Sequence, residues 1–401
     1  MPGSIARLTV AALLVHSTSV FAETIDIDLA GALARAHRAA PEAIAARGRI
    51  AQAEAGVTGA NVTFVSNPEV EGGLGPRLTP AHPIDADARL GQDLEPWRRG
   101  ARRQLASATL AHAVAESEIT LRDIDFEVSV AFYEAVFASQ VLDQSKRTED
   151  FAQRAAEVAQ RRRQAGEITD LDVNLVRVAL GRARSASQLA NADRTTAVGK
   201  LAILVGAAPS DTLVLRGSLA PPPLPAAASA ESRVDVRALD RERDVARAEH
   251  AQAVANGRPQ LGLFVGYHRE DTNSIVLGGM RFTMPIWNSG QGEKAAARAH
   301  EHTATEARDA TVRNAEREVA DAMAAYTATK QAVDAFEKDV LPLLDDSEQL
   351  LQKSIDAGQI AVSDYLVARQ EILNGRRDHL ERQLALAKAA IAVRYVSGGQ
   401  P

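Results

Sequence analysis

The chain has no cysteine, which leaves nothing for disulfides, cysteine-held metals or a lipid on an N-terminal cysteine. Aromatic residues make up only 4% of its 401 residues, and much of the 46% hydrophobic content is alanine. Alanine is the best helix former but fills little core volume. The composition therefore predicts long helices touching along narrow seams. Beyond the N-terminus, no apolar run approaches the roughly 18 residues of a membrane-spanning helix, so any membrane crossing must use β-strands. A positive excess is also missing: the formal charge of -6 offers nucleic acid no electrostatic attraction.

Catalytic signatures are absent too. The sequence holds no Gly-x-Ser-x-Gly, Walker or dinucleotide fingerprint. His300-Glu301-His302 is a close histidine pair, but residues two apart on a helix do not share a face. The histidines at 82, 112, 250, 268 and 379 show no ligand spacing. The expectation is a non-enzyme with no cofactor and no bound metal.

What is present is a repetition. Ala165-Gly166-Glu167-Ile168 with Asp172 returns as Ala357-Gly358-Gln359-Ile360 with Asp364. Asn67-Pro68-Glu69-Val70 returns as Arg258-Pro259-Gln260-Leu261, and Pro96-Trp97 with Gly100 as Ile286-Trp287 with Gly290. The landmarks keep their order at an offset of 189 to 193, so one unit built twice makes the protein. The division is a signal peptide at 1–22, repeat 1 at 23–205 with its tip at 166–170, and a Pro-rich linker at 206–230. Repeat 2 follows at 231–397 with its tip at 358–363, then a tail at 398–401. In the signal, Arg7 precedes an apolar run at 8–15, and Val20-Phe21-Ala22 supplies a cleavage site that leaves Glu23 as the mature start.

Each unit reads as helix, two strands and a long helical hairpin. A helix at 29–60, with Asp28 as N-cap, gives way to a stretch in which Val70, Gly72 and Leu74 oppose Glu69, Glu71 and Gly73. After a turn at 76–83, Ala86, Ala88, Leu90 and Leu94 face away from Asp85, Asp87, Arg89, Asp93 and Glu95. Period-two alternation over ~10 residues suits a tilted barrel strand. A helix of about 66 residues runs from 100 to 165, roughly 100 Å long, and a second spans 170–205. Repeat 2 predicts a helix at 235–256, strands at 261–268 and 275–285, and a long helix at 290–357.

Val312, Val319, Tyr326, Val333 and Val340 recur at sevens, with Ala315, Ala322, Phe336 and Leu343 three further on. That is a left-handed coiled-coil seam, echoed by Ile119, Phe126 and Tyr133, and Pro342 should kink the helix locally. The short helices of each unit sum to about the length of its long one, so they should stack end to end beside it. Strands then sit at one end of the hairpins and glycine turns at the other. Four strands per chain cannot close a barrel, whose smallest form has eight, so several chains must share one.

The duplicated unit, with Gly166/Ile168/Asp172 and Gly358/Ile360/Asp364 in register with two strand pairs, resembles the TolC-type outer-membrane efflux family over about 25–397. Gln92-Asp93-Leu94-Glu95 with Arg99, Arg102 and Arg103, Leu263 to Tyr267, Gly278-Gly279 and Met284-Pro285-Ile286 are most similar to its heavy-metal branch. Pro96-Trp97-Arg98 departs from the glycine-rich approach expected there, and Ala361 replaces the helix-capping Thr169. The resemblance implies a mainly α fold with a small β part. Duplicated antiparallel coiled-coil hairpins and four barrel strands per chain would form a homotrimeric α/β-barrel channel in outer-membrane lipid, extending into the periplasm. It further implies an exit duct served by a periplasmic adaptor and a proton-driven inner-membrane pump. Metal or other cations are the expected cargo; drugs or secreted polypeptides are the alternative, and a poreless coiled-coil interaction protein is the alternative of another class.

Three groups of residues are the functional candidates. Gly166, Ile168, Asp172, Gly358, Ile360 and Asp364 would offer an adaptor a docking ring, although the isoleucines serve equally well to close their own hairpins. Glu69, Glu71, Asp85, Asp87, Asp93 and Glu95, with Arg89 alone opposing them in the first strand pair, would make a lumen that favours cations or is merely hydrated. Asp345, Asp346 and Glu348, with Asp356, lie before the second tip, either as an acidic ring that gates by repulsion or cation binding or as an ordinary solvated helix end.

Overall fold

The structure, a computed structural model, describes residues 24–76, 78, 84–225, 230–270, 273–356 and 359–398. The signal segment, Gly358 and most of the 76–83 turn fall outside that set. A short strand, β1 (Thr24–Ile27), leads into α1 (Leu29–Ala39), where the Asp28 carboxylate accepts from the Gly31 N–H at 2.8 Å and caps the helix as expected. The helix expected over 29–60 is in fact two. Ala40 is extended, as a residue before proline prefers, and Pro41 begins α2 (Pro41–Asn61) at the position where its missing N–H costs nothing.

Strands β2 (Glu69–Pro76) and β3 (Ile84–Leu94) follow, then α3 (Arg98–Gln164), 67 residues and about 100 Å long, and α4 (Asp170–Leu204). The expected linker contains a strand, β4 (Thr212–Leu215), that pairs in parallel with β1. The second unit runs α5 (Val234–Asn256), β5 (Gln260–Glu270), β6 (Asn273–Thr283), α6 (Gln291–Asp339), α7 (Leu341–Asp356) and α8 (Val362–Ser397). The long helix breaks at Val340, two residues before Pro342, because the proline ring cannot continue the preceding turn.

The 11, 21 and 35 residues of α1, α2 and α4 together equal the 67 of α3, so the short helices tile the long one. β2, β3, β5 and β6 form one antiparallel sheet in that order. The helices beneath keep the same order: α2 and α4 beside α3, then α5 and α8, then α6 and α7. The molecule is thus a curtain one layer thick, continuous from strands to hairpin tips.

Its core lies midway. Ile25, Ile27 and Leu213 of the parallel pair meet Val128, Phe132 and Val136 of α3, Leu201 of α4 and Ile391 of α8. Tyr133 donates its hydroxyl to the Ala220 carbonyl at 2.9 Å, seating the chain between the repeats against α3.

Candidate functional site

The sheet separates its residues by parity. Cross-strand register places Glu69, Glu71, Asp85, Asp87, Arg89 and Asp93 on one face, with Phe264, His268 and Arg281. Val70, Leu74, Ile84, Leu90, Val265, Tyr267, Met280 and Phe282 share the other. That second face is apolar and uncovered: Leu74 is 82% exposed and Met280 67%. Each such side chain forgoes about 1.5–3 kcal/mol by staying in water, so the face calls for an apolar cover. The outer edges of β2 and β6 also pair with no described strand of the chain.

The charged face holds more than the first strand pair suggests. Arg281, from β6, reaches Asp93 of β3 at 2.6 Å, and Gln260 donates to the same carboxylate at 3.1 Å. Glu69, Glu71, Arg89 and Arg281 line one small recess. Arg89 lies over the Phe264 ring, 3.9 Å from its centroid. Sequence reading missed Arg281 because its partner is 188 residues away; the parity of β6 was the available signal.

Glu95 does not belong to this face. It lies one residue beyond β3, and its carboxylate is held by Arg102 at the base of α3. Arg102 also donates to the Ala60 and Val62 carbonyls, Arg99 to Asn61 and Arg98 to Asn256. These arginines therefore close the C-termini of α2 and α5, where carbonyls lack helical partners.

At the first tip, Gly166 adopts φ +79°, a left-handed conformation that only glycine enters cheaply. It ends α3 with the Glu167 N–H on the Arg162 carbonyl at 2.9 Å and the Gly166 N–H on Arg163 at 3.0 Å. Thr169 and Asp172 cap α4 reciprocally: the Asp172 N–H donates to Thr169 Oγ1 at 3.2 Å, and the Thr169 N–H to Asp172 Oδ2 at 2.9 Å. Arg163 clasps Asp170 through two nitrogens, at 2.6 and 2.9 Å. Those contacts hold both carboxyls below the ordinary range: Thr169 hydrogen bonds do so for Asp172 and Arg163 for Asp170. Ile168 is half-buried, so it is less free than an exposed docking residue would be.

The second tip is made differently. Ala361 provides no side-chain cap for α8, and Asp364 lies in the first turn of that helix. Ile360 packs against the cluster of Leu351, Tyr365 and Ile372, whose Tyr365 ring meets Phe151 of α3 at 5.8 Å. Gly358 and the side chain of Asp356 lie outside the described residues.

Asp345 and Glu348 do not form a bare acidic group. Arg376 of α8 binds Asp345 at 2.8 Å and Glu348 at 2.6 Å, and Arg369 binds Glu348 at 2.5 Å. Burial pushes the Glu348 carboxyl upward, but the hydrogen bonds from Arg369 and Arg376 outweigh it and leave the group below its ordinary range. The acids at 345 and 348 are thus compensated by arginines of α8; Asp345 and Asp346 are both exposed, and Glu348 is partly buried. Of the histidine pair, His302 is solvated beside Glu306, whereas His300 faces Glu249 at 2.8 Å and Glu242 at 3.5 Å across the α5–α6 seam. The Glu249 hydrogen bond, opposed by burial, raises the His300 value above 6.5.

A sheet charged on one face and apolar on the other, open at both edges and carried on a helical stalk, defines a channel-forming outer-membrane protein. The comparisons agree. The family described as outer membrane efflux protein matches residues 227–399. Protein CyaE of Bordetella pertussis is 27% identical over 323 residues, covering 75% of this chain and 67% of that protein. The chain is thus similar to outer-membrane efflux proteins, by a family match over its second repeat and a relative over three quarters of its length.

Solved structures share its fold at low identity. CusC superposes with a TM-score of 0.74 at 16% identity over 94% of both chains. The Campylobacter jejuni CmeC outer membrane channel gives 0.75 at 16%, covering 92% of this chain and 85% of that one. The Neisseria gonorrhoeae MtrE outer membrane channel, in its open state, gives 0.74 at 17%, covering 92% and 89%.

Proposed function

We propose that three copies close into one barrel and one helical tunnel, forming the exit duct of a tripartite efflux system for metal or other cations. The carrying observation is the sheet: an uncovered apolar face with two unpaired edges. In lipid every unpaired backbone group costs several kcal/mol, so β6 of one copy pairs with β2 of the next and twelve strands result.

The helices support the same closure. α4 buries Val173, Val176, Ala183, Ser187 and Ala190 within the chain. Leu171, Leu175, Val178, Leu189 and Ile203 follow a second heptad stripe that is exposed. A neighbour's α6 and α7, lying beneath its β6, meet that stripe when the ring closes.

Inside the barrel, Glu69, Glu71, Asp85, Asp87 and Asp93 outnumber Arg89 and Arg281, which favours cations. The tips around Gly166, Ile168, Ile360 and Gly358 receive a periplasmic adaptor, which links the duct to a proton-driven inner-membrane pump. The ties from Arg369 and Arg376 to Glu348 and Asp345 hold the lower tunnel shut. Purified chain in planar bilayers under a salt gradient tests the reading: stepwise conductance with a cation-selective reversal potential is expected. Anion selectivity would discard the cation assignment, and absence of steps after insertion would discard the duct. Metal sensitivity of a deletion strain, restored by this chain, tests the cargo.

A further inference from the structure

The chain has two tryptophans, and the repeat places them at corresponding points where a strand passes into a long helix. Their surroundings differ. Trp97 donates its indole N–H to the Pro259 carbonyl at 2.8 Å and is 42% exposed; Trp287 is 88% exposed. Beside it, Ile286 and Met284 are 71% and 62% exposed, and Met284 continues the alternation of Met280 and Phe282 on the apolar strand face. A slack loop does not explain this. The Gly290 N–H donates to Asn288 Oδ1 at 3.0 Å, the Ser289 N–H to Gln291 Oε1 at 3.1 Å, and Gln291 Nε2 to the Trp287 carbonyl at 3.2 Å. Gly290 takes φ +77° to start α6 at that point. The turn is fixed by its own polar side chains and presents a large aromatic outward.

We infer that Trp287, with Met284 and Ile286, is a lipid anchor seated at the boundary between acyl chains and headgroups of the periplasm-facing leaflet. Three observations carry it: the exposure, the fixed presentation, and continuity with the uncovered apolar face at the end of the sheet where the helices begin. Tryptophan suits that boundary because its ring is apolar and its N–H seeks water or a phosphate oxygen. Trp97, at the matching position, has turned its N–H to the protein and serves as a pin between β3 and β5. The competing occupant is a second copy. Val62, Phe64 and Val65, exposed in the link from α2 to β2, would come to Trp287 across a closed seam.

The inference rests on the barrel reading, and the experiment separates the two. Full chain carrying Trp97→Phe, which leaves Trp287 as sole tryptophan, is reconstituted into phosphatidylcholine–phosphatidylglycerol vesicles and floated on a density gradient. Lipids brominated near the headgroup or near the chain end then quench its fluorescence. Quenching several-fold stronger by the shallow bromines is expected, with weaker quenching in Trp287→Phe, where only Trp97 reports. Floated protein whose Trp287 is quenched by neither lipid, or best by the deep one, overturns the anchor and leaves the barrel standing. Failure to float overturns both. Because Trp97→Phe removes a structural hydrogen bond, Trp287→Cys in this cysteine-free chain, labelled with a polarity-sensitive dye, reads the same boundary with Trp97 intact. An interfacial emission is expected, and a fully aqueous one counts against the anchor.

Discussion

The two hairpin tips descend from one repeated unit, yet they are held by different means. The first is closed locally: a left-handed glycine, a reciprocal Thr169–Asp172 cap and the Arg163–Asp170 clasp all lie within ten residues. The second has no cap at Ala361, and its long helix is broken at Val340. It is held instead by ties between helices, Arg376 and Arg369 to the acids of α7, and by Tyr365 against Phe151 of α3. Local capping fixes a turn whatever its neighbours do, whereas ties between helices give way when the helices separate. In the proposed duct, the first hairpin is therefore the fixed wall of the tunnel and the second its movable one.

The difference is open to being broken. The largest effect belongs to Arg376→Ala, which strips Asp345 and leaves Glu348 with Arg369 alone. Losing about 1–2 kcal/mol of charge-assisted bonding shifts the closed-to-open ratio roughly 5–30-fold. Single-channel conductance should rise several-fold; Arg163→Ala, cutting an exposed pair in the first hairpin, should leave it unchanged. Equal responses would erase the distinction.

Next comes Gly166→Ala. A Cβ there meets nothing within 4 Å, so the cost is conformational alone, about 1–2 kcal/mol. Hydrogen exchange should accelerate at 160–172 and nowhere in the second hairpin. A smaller change sharpens the comparison by exchange of caps. Thr169→Ala should cost about 1 kcal/mol of α4 stability, and Ala361→Thr, with Asp364 three residues on, should slow exchange in the first turn of α8.

The smallest effect is set by pH. The folded Glu348 carboxyl lies below its ordinary value of 4.5, so its tie is fully present above that value and is lost as pH falls through the lower folded one. Conductance should hold steady from pH 7 to about 5 and climb only once the pH falls below that ordinary value. A rise beginning near neutrality would contradict that assignment.

Most of the architecture was legible because its signals are local and periodic. Alternation from Val70 to Leu94 marked strands, and the uninterrupted run before Gly166 marked a 67-residue helix. What escaped was short or distant. β1 and β4 are four residues each and make sense only when paired across the chain. The helix expected over 29–60 ran across Pro41, which instead starts a new one. Arg281 on Asp93, and Arg369 and Arg376 on the α7 acids, change the electrostatics of two candidate sites, and sequence separation hid each pairing. Charges on one element were readable; their compensation from another was not.

The central claim is that the sheet is an open third of a barrel completed by copies of itself. With no native cysteine, Val70→Cys on β2 and Met280→Cys on β6 in one chain offer a single pair of thiols for a flexible bis-maleimide. In native membranes the account predicts a cross-linked ladder of dimer and trimer that stops at three chains. A product confined to monomer, or a ladder running on past three, would contradict it.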